Sequence, residues 1–136
     1  MLDNNLPRDK NGIRLDVRGN RDLIFNEWHR KNLLPSCYVT DVDFLEYRYS
    51  NGELILKAIL EVKEWHVSEP KYVEDSTNFK AIQKLANIAK LPFFFVWYEK
   101  DNDFIKKFKI WDVFNEDKSE AKEMNPNEFK SFIEKL

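Results

Sequence analysis

The chain has 136 residues, 43% hydrophobic and 34% charged, enough apolar material for one core but with no uncharged run near the roughly 20 apolar residues of a membrane span. A formal net charge of −2 speaks against a protein that coats nucleic acid by bulk attraction, and a single cysteine, Cys37, excludes an internal disulfide. The polar N-terminus is unlike a secretory signal, so the expected compartment is the cytoplasm, or the host cytoplasm if the source is viral.

Residues 1–19 are polar and aperiodic, and are expected to form a mobile arm ahead of one domain over 20–136. The N-terminal third carries Arg8, Lys10, Arg14, Arg18, Arg21, Arg30 and Lys31, diluted by Asp9, Asp16 and Asp22. Asn20 caps a predicted helix over 21–33, which Pro35 stops, with Leu23, Ile24, Trp28 and Leu33 on its apolar side. Two long strands follow, over 37–49 and 53–65. They are joined at Ser50-Asn51-Gly52, because Asn and Gly tolerate the positive φ angles of tight hairpin turns. In the second strand, Leu54, Leu56, Ala58, Leu60 and Val62 read as one apolar face, while Ile55, Lys57 and Ile59 lead on the other to Glu61 and Lys63. A strand that is apolar and then abruptly acidic reads as a buried strand emerging at a functional edge.

Asp75, Ser76 and Thr77 are competent caps for a helix over 77–90, with Phe79, Ile82, Leu85, Ala86 and Ala89 at helical spacing towards the sheet. Pro92 ends it. Phe93-Phe94-Phe95-Val96-Trp97-Tyr98 is too continuous to alternate, and predicts a strand covered on both faces. A strand over 107–114 and a polar loop precede Asn125-Pro126, which opens a last helix to 135 with Phe129, Phe132, Ile133 and Leu136 inward. The order α-β-β-α-β-β-α predicts an α/β sandwich around a mixed sheet.

Strand alternation puts Asp41 with Asp43 on one face, and Glu61 with Lys63 on one face of the next strand. Aspartate is depleted in strand interiors, so this pair needs an explanation. Carboxylates on adjacent strands suit a hard divalent cation, Mg²⁺ or Mn²⁺. A lysine beside them suits phosphate, which together is the equipment of metal-assisted phosphodiester hydrolysis. A surface ion-pair cluster is the alternative. Only three glycines are present and none forms a phosphate loop, while His29 and His66 have no partner at zinc spacing.

Asp43, followed 18 residues later by Glu61-Val62-Lys63, resembles the core of the PD-(D/E)XK nuclease superfamily, the restriction-endonuclease-like fold. Thr40-Asp41-Val42-Asp43-Phe44-Leu45 with Leu60-Glu61-Val62-Lys63 is similar to its Holliday-junction-resolvase-like and RecB-like branches, although Val42 stands where the superfamily's name has Pro. Over roughly residues 20–114 the resemblance implies a restriction-endonuclease-like αββαββα sandwich with a central mixed sheet. It implies metal ligation by Asp43, Glu61 and the backbone carbonyl of Val62, with Asp41 as an outer acid or extra ligand. Lys63 would orient or deprotonate the attacking water and stabilise the phosphate. Glu27 in the first helix and Gln83 in the second would complete the catalytic set. Lys80, Arg30, Lys31 and His29 are nucleic-acid-binding candidates, Trp65 is a candidate for base stacking, and Glu64 faces away from Lys63.

The activity so implied is a Mg- or Mn-dependent endonuclease or exonuclease, acting on DNA in preference to RNA and leaving 5′-phosphate and 3′-hydroxyl ends. Duplex cleavage by so small a domain suggests a homodimer; strand 93–98 or the last helix could supply the interface, and a core role accounts for both equally well. Two other readings stay open: a catalytically silent nucleic-acid-binding module on the same fold, and a non-nucleic-acid interaction protein suggested by the acidic balance and abundant aromatics.

Overall fold

A computed structural model describes residues 20–64 and 77–136. The expected arm over 1–19, Trp65, His66 and the caps Asp75 and Ser76 lie outside the described residues. The chain divides into two compact units, Met1–Val39 and Thr40–Leu136.

In the first unit, α1 spans Asn20–Asn32. Of the residues expected on its apolar side, Ile24, Trp28 and Leu33 are exposed. Phe25 instead gathers the rings of Trp28 and His29 on the helix surface, at centroid distances of 6.4 and 6.1 Å.

The second unit contains β1 (Phe44–Ser50), β2 (Glu53–Glu64), α2 (Thr77–Ala89), β3 (Phe93–Asp101), β4 (Phe104–Asp112), a 3-10 turn (Lys118–Glu120), β5 (Lys122–Met124) and α3 (Pro126–Glu134). The sheet order is β1-β2-β3-β4-β5. Among the described strands only β2 and β3 run parallel, and α2 lies between them in sequence as a parallel crossover requires. The result is a mixed α/β sheet with a helix on each face. On one side Phe79, Ile82 and Ala86 of α2 pack with Ile59, Phe93, Phe95, Trp97 and Trp111. On the other, Phe129, Phe132 and Ile133 of α3 pack with Leu60, Phe94, Val96 and Ile110. Phe79 stacks on Trp111 at 5.7 Å, and Phe108 on Phe129 at 3.9 Å.

Several boundaries differ from expectation, each for a physical reason. β1 begins at Phe44 and not at 37, because the Val62 N–H that a longer β1 would engage is bonded by the Asp43 side chain, so the ladder stops there. Leu54 and Leu56 are exposed. The pairing passes from Glu46↔Ala58 to Tyr47↔Leu56, and the extra residue, Lys57, is a bulge that turns the two leucines to the face opposite Ala58 and Leu60. β3 pairs with β2 only from Ile59 onward, so the hairpin tip has no third strand beside it. β3 and β4 extend to a turn at Asn102-Asp103, where Asn102 takes φ 57° without glycine. β5 is three residues long, two of them charged, and leaves no periodic signal. In α2, Leu85 and Ala89 are exposed because Phe79, Ile82 and Ala86 alone form the inward stripe. Of the two roles open to strand 93–98 and the last helix, interface or core, their apolar side chains take the core role.

Candidate active site at the end of the hairpin

The register of β1 on β2, Phe44↔Leu60 and Leu45↔Ile59, continued by one residue sets Asp43 opposite Glu61. Side-chain hydrogen bonds fix that junction. The Val62 N–H donates to Asp43 Oδ2 at 3.0 Å, and the Asp43 N–H donates to Glu61 Oε1 at 3.4 Å, a long bond. In an extended strand the N–H and C=O of one residue point to the same lateral side. The Val62 carbonyl therefore faces the Asp43 side as its N–H does. Two carboxylates meet at this corner and the Val62 carbonyl lies on the Asp43 side of β2, oxygen donors of the kind hard divalent cations take.

The electrostatics agree. The Glu61 carboxyl is half-buried and its pKa is pushed up to about 7, first by loss of solvent and then by the negative charge of Asp43. Asp41 adds a smaller repulsion. The amide of Asp43 and the charge of Lys63 oppose the rise without cancelling it. Two adjacent carboxylates of which one holds its proton near neutrality form a site that a cation would relieve.

Lys63 shares the face of Glu61, being two residues on, and this is the face that α2 covers, since Ile59 of the same alternation lies in the α2 core. Its ammonium is exposed and makes no ion pair with a described residue. Glu64 points to the other face and pairs with Lys100 at 3.5 Å. Gln83 is half-buried on the flank of the α2 stripe, on the same side of the sheet as Glu61 and Lys63, while Lys80 is fully at the surface.

Not every expected residue joins this corner. Among the described residues no three His, Cys, Asp or Glu side chains assemble into a metal-holding group, so Asp41, which is exposed and precedes β1, does not complete a three-carboxylate set. Within α1, Lys31, at 2.9 Å, and Arg30 both pair with Glu27 along the helix and lower its pKa. Arg30 and Lys31 are thereby engaged at the helix surface, and His29 rests against Phe25.

The sheet also contributes a residue that the sequence reading gave no role. The pairings Lys63↔Trp97 and Trp97↔Lys109 put two lysines in one row on the α2 side, flanking a buried tryptophan. Only the strand register, not spacing in the chain, could have revealed Lys109. No helix among the described residues is long and apolar enough to cross a membrane. Compared with protein-family models, curated proteins and solved structures, the chain matches none.

Proposed function

We propose that the chain is a metal-dependent phosphodiesterase, a nuclease acting on DNA in preference to RNA. The observation that carries this reading is the Asp43–Glu61 corner. There the carboxylate of one strand end is bonded to the Val62 amide, beside a second carboxylate with a pKa of about 7, and the exposed Lys63 lies two residues on. Asp43, Glu61 and the Val62 carbonyl would hold Mg²⁺ or Mn²⁺. When bound, such an ion neutralises charge on a scissile phosphate and acidifies water at neutral pH.

The protein's own groups do the rest. Asp43 is held in place by the Val62 N–H, so it enters the reaction already oriented. Lys63 offers a mobile ammonium to the non-bridging phosphate oxygens, where negative charge grows in the transition state. Lys109, in the same row, can take a neighbouring phosphate. Gln83 can hold water by hydrogen bonds from the flank of α2. Attack of water on phosphorus in line with the P–O3′ bond breaks that bond, the 3′-oxygen leaves and takes a proton, and the ends are 5′-phosphate and 3′-hydroxyl, as the resemblance to PD-(D/E)XK enzymes implies.

The test is a cleavage assay on labelled single-stranded, duplex, nicked, flapped and branched DNA and on RNA, with Mg²⁺, Mn²⁺ or EDTA. Asp43→Ala should abolish cleavage. Lys63→Ala should keep Mn²⁺ and nucleic-acid binding while lowering the rate by about 10²-fold or more. Binding without cleavage by the parent protein in every metal would point to the silent binding module instead. Lack of both Mn²⁺ and polyanion binding would leave the interaction protein.

A further inference from the structure

The two edges of the sheet are unlike. β5 is a three-residue edge, Lys122-Glu123-Met124, short and charged in the way that discourages further pairing. β1 is a seven-residue edge, Phe44-Leu45-Glu46-Tyr47-Arg48-Tyr49-Ser50, with no proline and no lysine, and no described strand lies on its outer side. Three of its residues, Leu45, Tyr47 and Tyr49, project to one face, with Leu54 and Leu56 of β2 opposite the two tyrosines. All five are exposed, Tyr49 at 68%.

The polarity of the edge follows from the ladder. The Ile59 N–H donates to the Pro92 carbonyl on the β3 side, so Leu60 and its partner Phe44 face each other. Alternation then aims the backbone groups of Leu45, Tyr47 and Tyr49 outward. In agreement, the Tyr47 carbonyl is free of the ladder and accepts from Arg48 Nη1 at 2.9 Å.

This edge is self-complementary. If a second copy runs antiparallel about a two-fold axis at Tyr47, the outward groups of Leu45, Tyr47 and Tyr49 meet those of Tyr49, Tyr47 and Leu45. On the opposite face Glu46 of each copy then lies across from Arg48 of the other. Both charges are already paired within one chain at 2.9 Å and remain partly open, 26% and 34% exposed, so the pairing becomes a four-charge cluster and not a new desolvated pair. The same register stacks the tyrosines and leucines of the two copies. We propose that the protein is a two-fold homodimer built by β1-to-β1 addition, giving one continuous ten-stranded sheet. A two-fold axis at this position demands a sequence whose charges invert about its centre, and Glu46-Tyr47-Arg48 has that property.

Sedimentation equilibrium of the whole chain tests it. The parent should be a dimer. Tyr47→Pro should be monomeric with unchanged far-UV circular dichroism, because its N–H points away from β2 and proline is tolerated on a strand's outer side. If that variant fails to fold, charge variants decide. Glu46→Lys and Arg48→Glu should each weaken self-association by about tenfold or more, since each sets like charges opposite one another twice. An equimolar mixture of the two should recover dimers, because each edge then faces its opposite. A monomeric parent, a dimeric Tyr47→Pro protein, or a mixture that stays monomeric would overturn the proposal.

Discussion

Glu61 is the residue whose environment departs furthest from that of a surface carboxylate. Its pKa of about 7 in the folded chain, against 4.5 for a free glutamate, means the folded state keeps a proton that the unfolded chain releases. Between these two pH values unfolding releases a proton, so stability falls as pH rises from about 4.5 to about 7, and levels off above. Glu61→Gln removes that loss. Without divalent ions the variant should match the parent near pH 4.5 and exceed it at pH 8, by on the order of 1–2 kcal/mol after solvent screening. Thermal melts at both pH values check this, and a difference independent of pH would show that the carboxyl is not perturbed. The same proton competes with a cation. Mn²⁺ affinity should therefore rise about tenfold per pH unit below 7 and flatten above it, measured by titration calorimetry. Asp43→Ala should eliminate the Mn²⁺-induced rise in melting temperature that binding to the folded state produces.

Among the elements, α2 and α3 differ in how they end and begin. α3 opens with a reciprocal capping box, in which the Glu128 N–H donates to Asn125 Oδ1 at 2.8 Å and the Asn125 N–H to Glu128 Oε1 at 2.9 Å. Arg48 Nη2 donates to the Ile133 carbonyl at 2.7 Å near its other end, joining the hairpin to the helix where a cation complements the dipole. α2 closes with the Leu91 N–H on the Ala86 carbonyl and the Lys90 N–H on that of Asn87, the Schellman arrangement, yet its left-handed residue is Lys90 at φ 57°. Lysine is strained there where glycine is not. Lys90→Gly should stabilise the fold by roughly 0.5–1 kcal/mol, the left-handed penalty less glycine's entropy, as read by urea denaturation. An unchanged or lower midpoint would mean the lysine makes a compensating contact.

At the scale of the second unit, the sheet is a partition between two apolar layers, and β3 serves both. Phe93, Phe95 and Trp97 face α2, while Phe94 and Val96 face α3. Phe79 ties the first layer together through Phe93, Phe95 and Trp111, at ring distances of 5.5, 6.0 and 5.7 Å. Phe79→Ala should cost about 3–5 kcal/mol, a large part of the 5–15 kcal/mol typical of a domain. Loss of α2 from the sheet should also remove Gln83 from the side that carries Glu61 and Lys63. Chemical denaturation and hydrogen exchange in β3 should both report it, and a loss under about 1 kcal/mol would show that the layer repacks around the gap.

The sequence by itself determined the elements that carry strong local signals. These are the Asn51-Gly52 turn with both residues at positive φ, the Thr77 start of α2, the two-sided burial of Phe93 to Trp97, and the Asn125-Pro126 opening of α3. It also singled out Asp43, Glu61 and Lys63, because acidic residues at the end of an apolar strand conflict with the local pattern. Tertiary structure alone decided where β1 begins, since that depends on a side chain 19 residues away capturing the Val62 amide. It alone turned Leu54 and Leu56 over at the Lys57 bulge, and set Lys109 in line with Lys63. Hydrogen-bond capture, bulges and strand register are properties of pairs distant in sequence. Periodicity along one chain carries the propensity of each segment, but not the neighbour that finally satisfies it.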